Sequence, residues 1–160
     1  MTDSSRSSAS LVRGICFGGT VAGILDISAA ILSSLPRNVG PMRVIQSVAS
    51  GLLGQPAFEG GLPTVALGLG LHFLIAFLFA AFFSLALDRA GDLGRKIARK
   101  WFLTGPVYGG FIYLMMYLVI VPNSRAPFKF KFTAYTITLN LAIHIFCIGI
   151  PIAFFARRKS

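Results

Sequence analysis

Five polar side chains interrupt stretches that are otherwise apolar: Asp26, His72, Tyr113, Asn140 and His144. An ionisable group surrounded by hydrocarbon is costly, so each marks a candidate site. A carboxyl group beside imidazoles can relay protons or couple ion movement. Two histidines on separate helices can ligate a haem axially or, with Asp26, hold a metal ion. The same residues can also form a hydrogen-bonded network that only fixes how helices register. All three readings stand on residue type alone.

Depth ties these residues together. Asp26 lies nine residues before Leu35, His72 eight after Thr64, Tyr113 eight before Val121 and His144 ten after Ala134. At the rise of an α-helix, all four then fall about 12–15 Å below one interface. Spacing adds a lining. Gly14/Gly18 and Gly19/Gly23 are each four apart, as are Gly68, His72, Ala76 and Ala80, and Gly105, Gly109 and Tyr113. Such small-residue stripes let helices approach closely. Thr133, Thr136, Asn140, His144, Cys147 and Pro151 follow at steps of three or four, a polar stripe expected to face protein.

Membrane spans must carry these positions. Of the 160 residues, 55% are apolar and only 12% are charged; mean hydropathy is +0.76. A soluble domain carries about 25% charged residues, and a disordered chain is poor in apolar ones. Four stretches are long enough to span: about Val12 to Leu35, Thr64 to Leu87, Trp101 to Val121 and Ala134 to Ala156. β-Barrel strands would alternate over about ten residues and do not fit. The expectation is an all-α membrane protein, a four-transmembrane-helix bundle forming one integral domain over 1–160. The first apolar run is too long for the core of a signal peptide and contains Asp26, so an uncleaved span is expected. Cys16 and Cys147 lie inside apolar runs, which argues against a disulfide framework. No internal repeat supports an inverted-repeat transporter.

The net charge of +10 divides unevenly among the connections. Arg6, Arg13, Arg89, Arg95, Lys96, Arg99, Lys100, Arg157, Arg158 and Lys159 fall on one side; Arg37, Arg43, Arg125, Lys129 and Lys131 fall on the other. The excess of basic residues predicts cytoplasmic termini. The positive charge is thereby read as topology and attraction to the lipid bilayer, not as a nucleic-acid footprint.

The connection from Pro36 to Pro63 is long and not polar. PMRVIQSVASGLL predicts an amphipathic helix over about Met42 to Leu53, with Arg43, Gln46, Ser47 and Ser50 on one face and Val44, Ile45, Val48, Ala49, Leu52 and Leu53 on the other. Pro41 starts it and Gly54 stops it. It is too short to span, so it lies in the interface or roofs a site, with Arg43, Gln46 and Glu59 as mouth or lid candidates. PFKFKF, from Pro127 to Phe132, alternates like a strand but has no partner strand. Its Phe side chains are expected in the interface, with Lys129 and Lys131 snorkelling outward.

Catalytic templates are missing. There is no phosphate-binding Gly-rich loop followed by Lys-Ser/Thr, no His-Glu-x-x-His and no Gly-x-Ser-x-Gly elbow. Function is therefore expected at the Asp26, His72, Tyr113, Asn140 and His144 layer. Proton-linked passage or binding of a small solute is one reading. The others are a haem- or quinone-binding redox protein, and a structural or assembly protein without a ligand. Four helices are few for a transporter, so a homo-oligomer through the first span's glycines is an expectation of the transport reading.

GGTVAGILDISAA at Gly18–Ala30, RVIQSVASGLLG at Arg43–Gly54, AFEGG at Ala57–Gly61, LGLGLHFLIAF at Leu67–Phe77 and IHIFCIGIPIAFFARR at Ile143–Arg158 stand in the first, second and fourth spans and in the connection between the first two. Together they resemble a family of uncharacterised bacterial four-span integral membrane proteins. The resemblance implies that architecture and a bacterial inner-membrane location. It assigns no activity and no site residues.

Overall fold

The computed structural model describes residues 11–128 and 130–157. Arg6, Lys129, Arg158 and Lys159 from the charge count lie outside the described residues. Four helices are long and apolar enough to cross a membrane: α1 (Leu11–Arg37), α3 (Gly61–Arg89), α5 (Trp101–Ile120) and α6 (Ala134–Ala156). Two shorter helices join them, α2 (Pro41–Leu53) and α4 (Gly91–Arg99). The described residues form no strand.

Hydrocarbon as solvent explains the surface. Val107 is 75% exposed, Phe146 66% and Leu32 65%, and each lies on a span whose outward face is apolar. The interior is built mainly from small residues and a few large ones: Ala22, Ala80, Ile112, Ile152 and Ala153 are almost fully buried. Close approach of backbones, not a large oily core, holds such a bundle together.

The glycine stripes show where that approach occurs. A methyl group on Gly18 would sit 3.4 Å from Ile152 Cα on α6, and Gly14 meets Ala156 of the same helix. Gly19 and Gly23 instead lie under Phe77 and Phe73 of α3. Gly105 and Gly109 on α5 meet Ile150, Ile145 and His144 on α6, and Gly149 on α6 meets Gly105 and Gly109 in return. Both stripes of the first span are thus occupied within one chain. The expected homo-oligomer contact there has no free glycine face to use.

The spans pack in the order α3, α1, α6, α5. α3 and α5 stand at the two ends of that row and do not pack backbone to backbone. A few side chains bridge them: Phe83 and Tyr108 rings lie 4.5 Å apart, and the Tyr108 hydroxyl donates to the Phe79 carbonyl at 2.7 Å. At one end of the bundle, Arg13 Nε donates to the Phe155 carbonyl at 3.0 Å. There too the Arg157 guanidinium covers the Phe154 ring at 3.7 Å.

Sequence and structure differ at four places. α1 and α3 extend beyond the expected ends by a turn or less, which leaves the spans as expected. α2 begins at Pro41, has its amphipathic pattern, and stops at Gly54, whose φ of 72° an L side chain rarely adopts. Its buried side is mixed. Gln46 and Ser50 from the polar face and Val44 and Ala49 from the apolar face are buried, whereas Arg43, Met42, Leu52 and Leu53 are exposed. The side toward protein therefore takes in part of each face. Finally, the basic connection after the second span is not a loop but α4. Asp92 and Arg95 form an ion pair on its outer face, and Gly94 and Ala98 pack inward.

Candidate functional site

α1 carries Asp26 one turn beyond Gly23, on the stripe that Gly19 and Gly23 turn toward α3. Asp26 is partly exposed and within electrostatic reach of His144 on α6 and of His72 on α3. The Tyr117 hydroxyl and Cys147 thiol share its field. Arg37, at the end of α1, is exposed and donates to Ser34 Oγ at 3.1 Å. The field of the carboxylate is thus felt by groups on α3, α5 and α6.

The two histidines are fixed by the backbone, each through a different nitrogen. His72 Nε2 lies 2.8 Å from the Gly23 carbonyl, one turn before Asp26. His144 Nδ1 lies 2.7 Å from the Asn140 carbonyl. A carbonyl only accepts, so each of these nitrogens carries the proton. A neutral ring then keeps its other nitrogen, Nδ1 of His72 and Nε2 of His144, as an open acceptor. No hydrogen bond among the described residues joins Asp26 to either ring. The arrangement can take up a proton or a hydrogen-bonding solute between these groups.

Aromatic rings wall the His144 side. Tyr113 and Tyr117 rings are 4.9 Å apart, and each lies 5.7 Å from His144. Phe130 covers Tyr117 at 4.1 Å. The Tyr117 hydroxyl donates to Asn140 Oδ1 at 2.9 Å, and Asn140 Nδ2 donates to the Thr136 carbonyl at 2.7 Å. Thr133 and Thr136 cap the start of α6 reciprocally, which sets the angle at which this polar stripe enters.

Among the described residues three π-helical turns interrupt the spans, Gly14–Gly18, Met115–Ile120 and His144–Gly149, and the last two adjoin the site. Tyr117 lies in the second and His144 opens the third. Single π turns in α-helices recur at functional sites because they re-aim side chains that regular helical spacing would turn away.

Of the expected residues, Tyr113, Asn140 and His144 are joined by a ring contact and a hydrogen bond, whereas Asp26 is related to His72 and His144 only electrostatically. His144 and Tyr113 are buried, whereas Asp26, His72 and Asn140 are partly exposed. The expected buried cluster is thus a half-open one, with a single buried histidine. The lid candidates go elsewhere. Gln46 is buried and donates to Thr64 Oγ1 at 3.1 Å and to the Gly61 carbonyl at 3.3 Å, which anchors α2 to α3. The Arg43 guanidinium lies 4.6 Å over the Phe58 ring, and Glu59 is exposed. No hydrogen bond, ion pair or ring contact among the described residues connects these three to Asp26.

Tyr117 was not singled out by sequence. Tyr117 follows Tyr113 by four residues, a signal that was present but unused. The three-ligand metal reading is not met: among the described residues no three His, Cys, Asp or Glu side chains are placed to hold an ion. In the haem reading, an axial bond through Nε2 of His72 would displace its hydrogen bond to Gly23.

No family model, no curated protein and no solved structure matches the chain.

Proposed function

We propose that this multi-pass membrane protein binds a small solute at the Asp26–His144–Tyr117 site and links its binding or passage to a proton. The observation that carries the reading is the placement of one carboxylate within reach of two imidazoles, each held by a backbone carbonyl so that one nitrogen remains an acceptor. A structural network would be expected to close such bonds among its own members. Here the Asp26 carboxylate and the open imidazole nitrogens are not bonded to one another. Aromatic walls and a hydroxyl–amide pair, Tyr117 to Asn140, supply the apolar surface and the few oriented polar groups that small-molecule sites use.

In the bacterial inner membrane that the resemblance implies, the uneven distribution of Lys and Arg supports cytoplasmic termini. Arg37, at the end of α1, then lies on the opposite side. Four spans are few for a complete pathway, so passage calls for association of copies.

The test is the identity of what the protein retains. Protein purified in detergent is extracted, and the released small molecules are identified by mass spectrometry beside those from an Asp26→Asn variant. We expect a molecule held by the native protein and reduced about tenfold or more in the variant, the loss of one charged partner. Equal retention by both proteins would remove Asp26 from the site.

A further inference from the structure

The gap between α3 and α5 has a consequence of its own. A groove of about 510 Å³ runs along it, lined by Phe82, Ala86, Ile97, Leu103, Val107 and neighbouring residues. A second hollow of about 280 Å³ continues it toward Ile120 and shares Phe82 and Phe111. The lining is apolar apart from Thr104 and the Tyr108 edge. The first hollow ends at α4, because Ile97 belongs to that helix.

α4 presents charge at this mouth. Leu93, Lys96 and Ile97 fall at i, i+3 and i+4, and so share one helical face. Ile97 lines the groove, while Lys96, its neighbour in sequence, and Lys100, which follows α4, are exposed. Lys100 stands at the join of α4 and α5, where its carbonyl accepts the backbone N–H of Leu103 and Thr104, both groove residues. Asp92 is engaged with Arg95 and does not neutralise these lysines. An apolar slot that ends at a pair of free ammonium groups fits one kind of molecule: an acyl chain with an anionic head.

We propose that the α3–α5 groove is a binding site for an anionic phospholipid, with an acyl chain against Ala86, Leu103 and Val107 and its phosphate met by Lys96 and Lys100. Basic clusters between spans recognise such headgroups by charge, and long lysine side chains reach the headgroup level. A zwitterionic lipid would share the chain contacts but gain less from the lysines. A second copy of the chain fits poorly. A two-fold contact here would set Lys96, Arg99 and Lys100 against the same residues of the other copy.

The experiment measures the thermal midpoint of the full-length protein in detergent. Phosphatidylglycerol or phosphatidylcholine is added as mixed micelles at equal mole fraction. We expect phosphatidylglycerol to raise the midpoint by about 5 °C more than phosphatidylcholine. Lys96→Gln with Lys100→Gln should erase that difference; both sites are exposed, so the fold does not depend on them. Ala86→Trp, which fills the groove from an exposed position, should erase the gain from both lipids. Equal gains from the two lipids, or a difference that survives the double glutamine variant, would overturn the proposal. A dimer that becomes monomeric only on Ala86→Trp would also overturn it, by assigning the groove to a second copy.

Discussion

Gly109→Leu should leave the bundle unable to hold α5 against α6. A methyl group at this position would already lie 2.6 Å from Ile145 Cα and from the His144 carbonyl oxygen. Those neighbours are backbone, which cannot swing aside as a flexible side chain can. Gly149 faces the same spot from α6, so relief on one helix meets the other. Gaining a better helix former returns at most about 1 kcal/mol, while forcing the crossing apart costs about 3 kcal/mol or more. The thermal midpoint in detergent should fall by about 10 °C. Gly110→Leu is the matched control: nothing lies within 4 Å of a methyl group there, so its midpoint should stay near that of the native protein. Equal losses at both positions would mean that the α5–α6 crossing does not set the cost. Because His144 sits at this crossing, the same change should also disturb the Asp26 site.

Gly68→Leu should pry α2 off the bundle without unfolding the spans. A methyl group on Gly68 would collide with the Ile45 carbonyl of α2. A leucine there needs room that only movement of α2 provides, and that movement breaks the bonds from Gln46 to Gly61 and Thr64. Ser50 reports the change because it is fully buried in the native protein. With Cys16 and Cys147 replaced by serine, a Ser50→Cys thiol should react with a water-soluble maleimide about tenfold or more faster once Gly68 is Leu. Gly70→Leu, where nothing lies within 4 Å, should leave the rate unchanged. Slow labelling in both would show that α2 is held by something other than its seat on α3.

The spans were legible in the sequence because length and hydropathy suffice when the solvent is hydrocarbon. α2 was legible because Pro41 and Gly54 bracket a clear two-faced pattern. Which of its residues meet protein was not, since periodicity separates two faces without saying how they seat on a neighbour. Val44 and Ala49 pack inward together with Gln46 and Ser50, and Gln46 became an anchor instead of a lid residue. α4 was hidden by composition: Arg95, Lys96 and Arg99 stand among nine residues, so charge masked the Leu93–Ile97 face. Of the residues at common depth, Tyr113 and His144 meet ring to ring, and Asp26 acts on His72 and His144 through its field alone. Tyr117 escaped although it extends the Gly105, Gly109 and Tyr113 stripe by one more step of four, because it lies a turn nearer the end of its span than the common layer. Glycine spacing marked close approach correctly but not the partner, which for Gly19 and Gly23 is α3 of the same chain.

The central claim is that Asp26 and His144 form a proton-linked site and not only a packing device. Proton flux across liposomes carrying the purified protein tests it most directly, read with an internal pH dye after an imposed pH step. The account predicts flux above protein-free liposomes for the native chain, and a return to that background for Asp26→Asn and for His144→Gln with folding retained. Native protein at background, or both variants conducting like it, would contradict the claim.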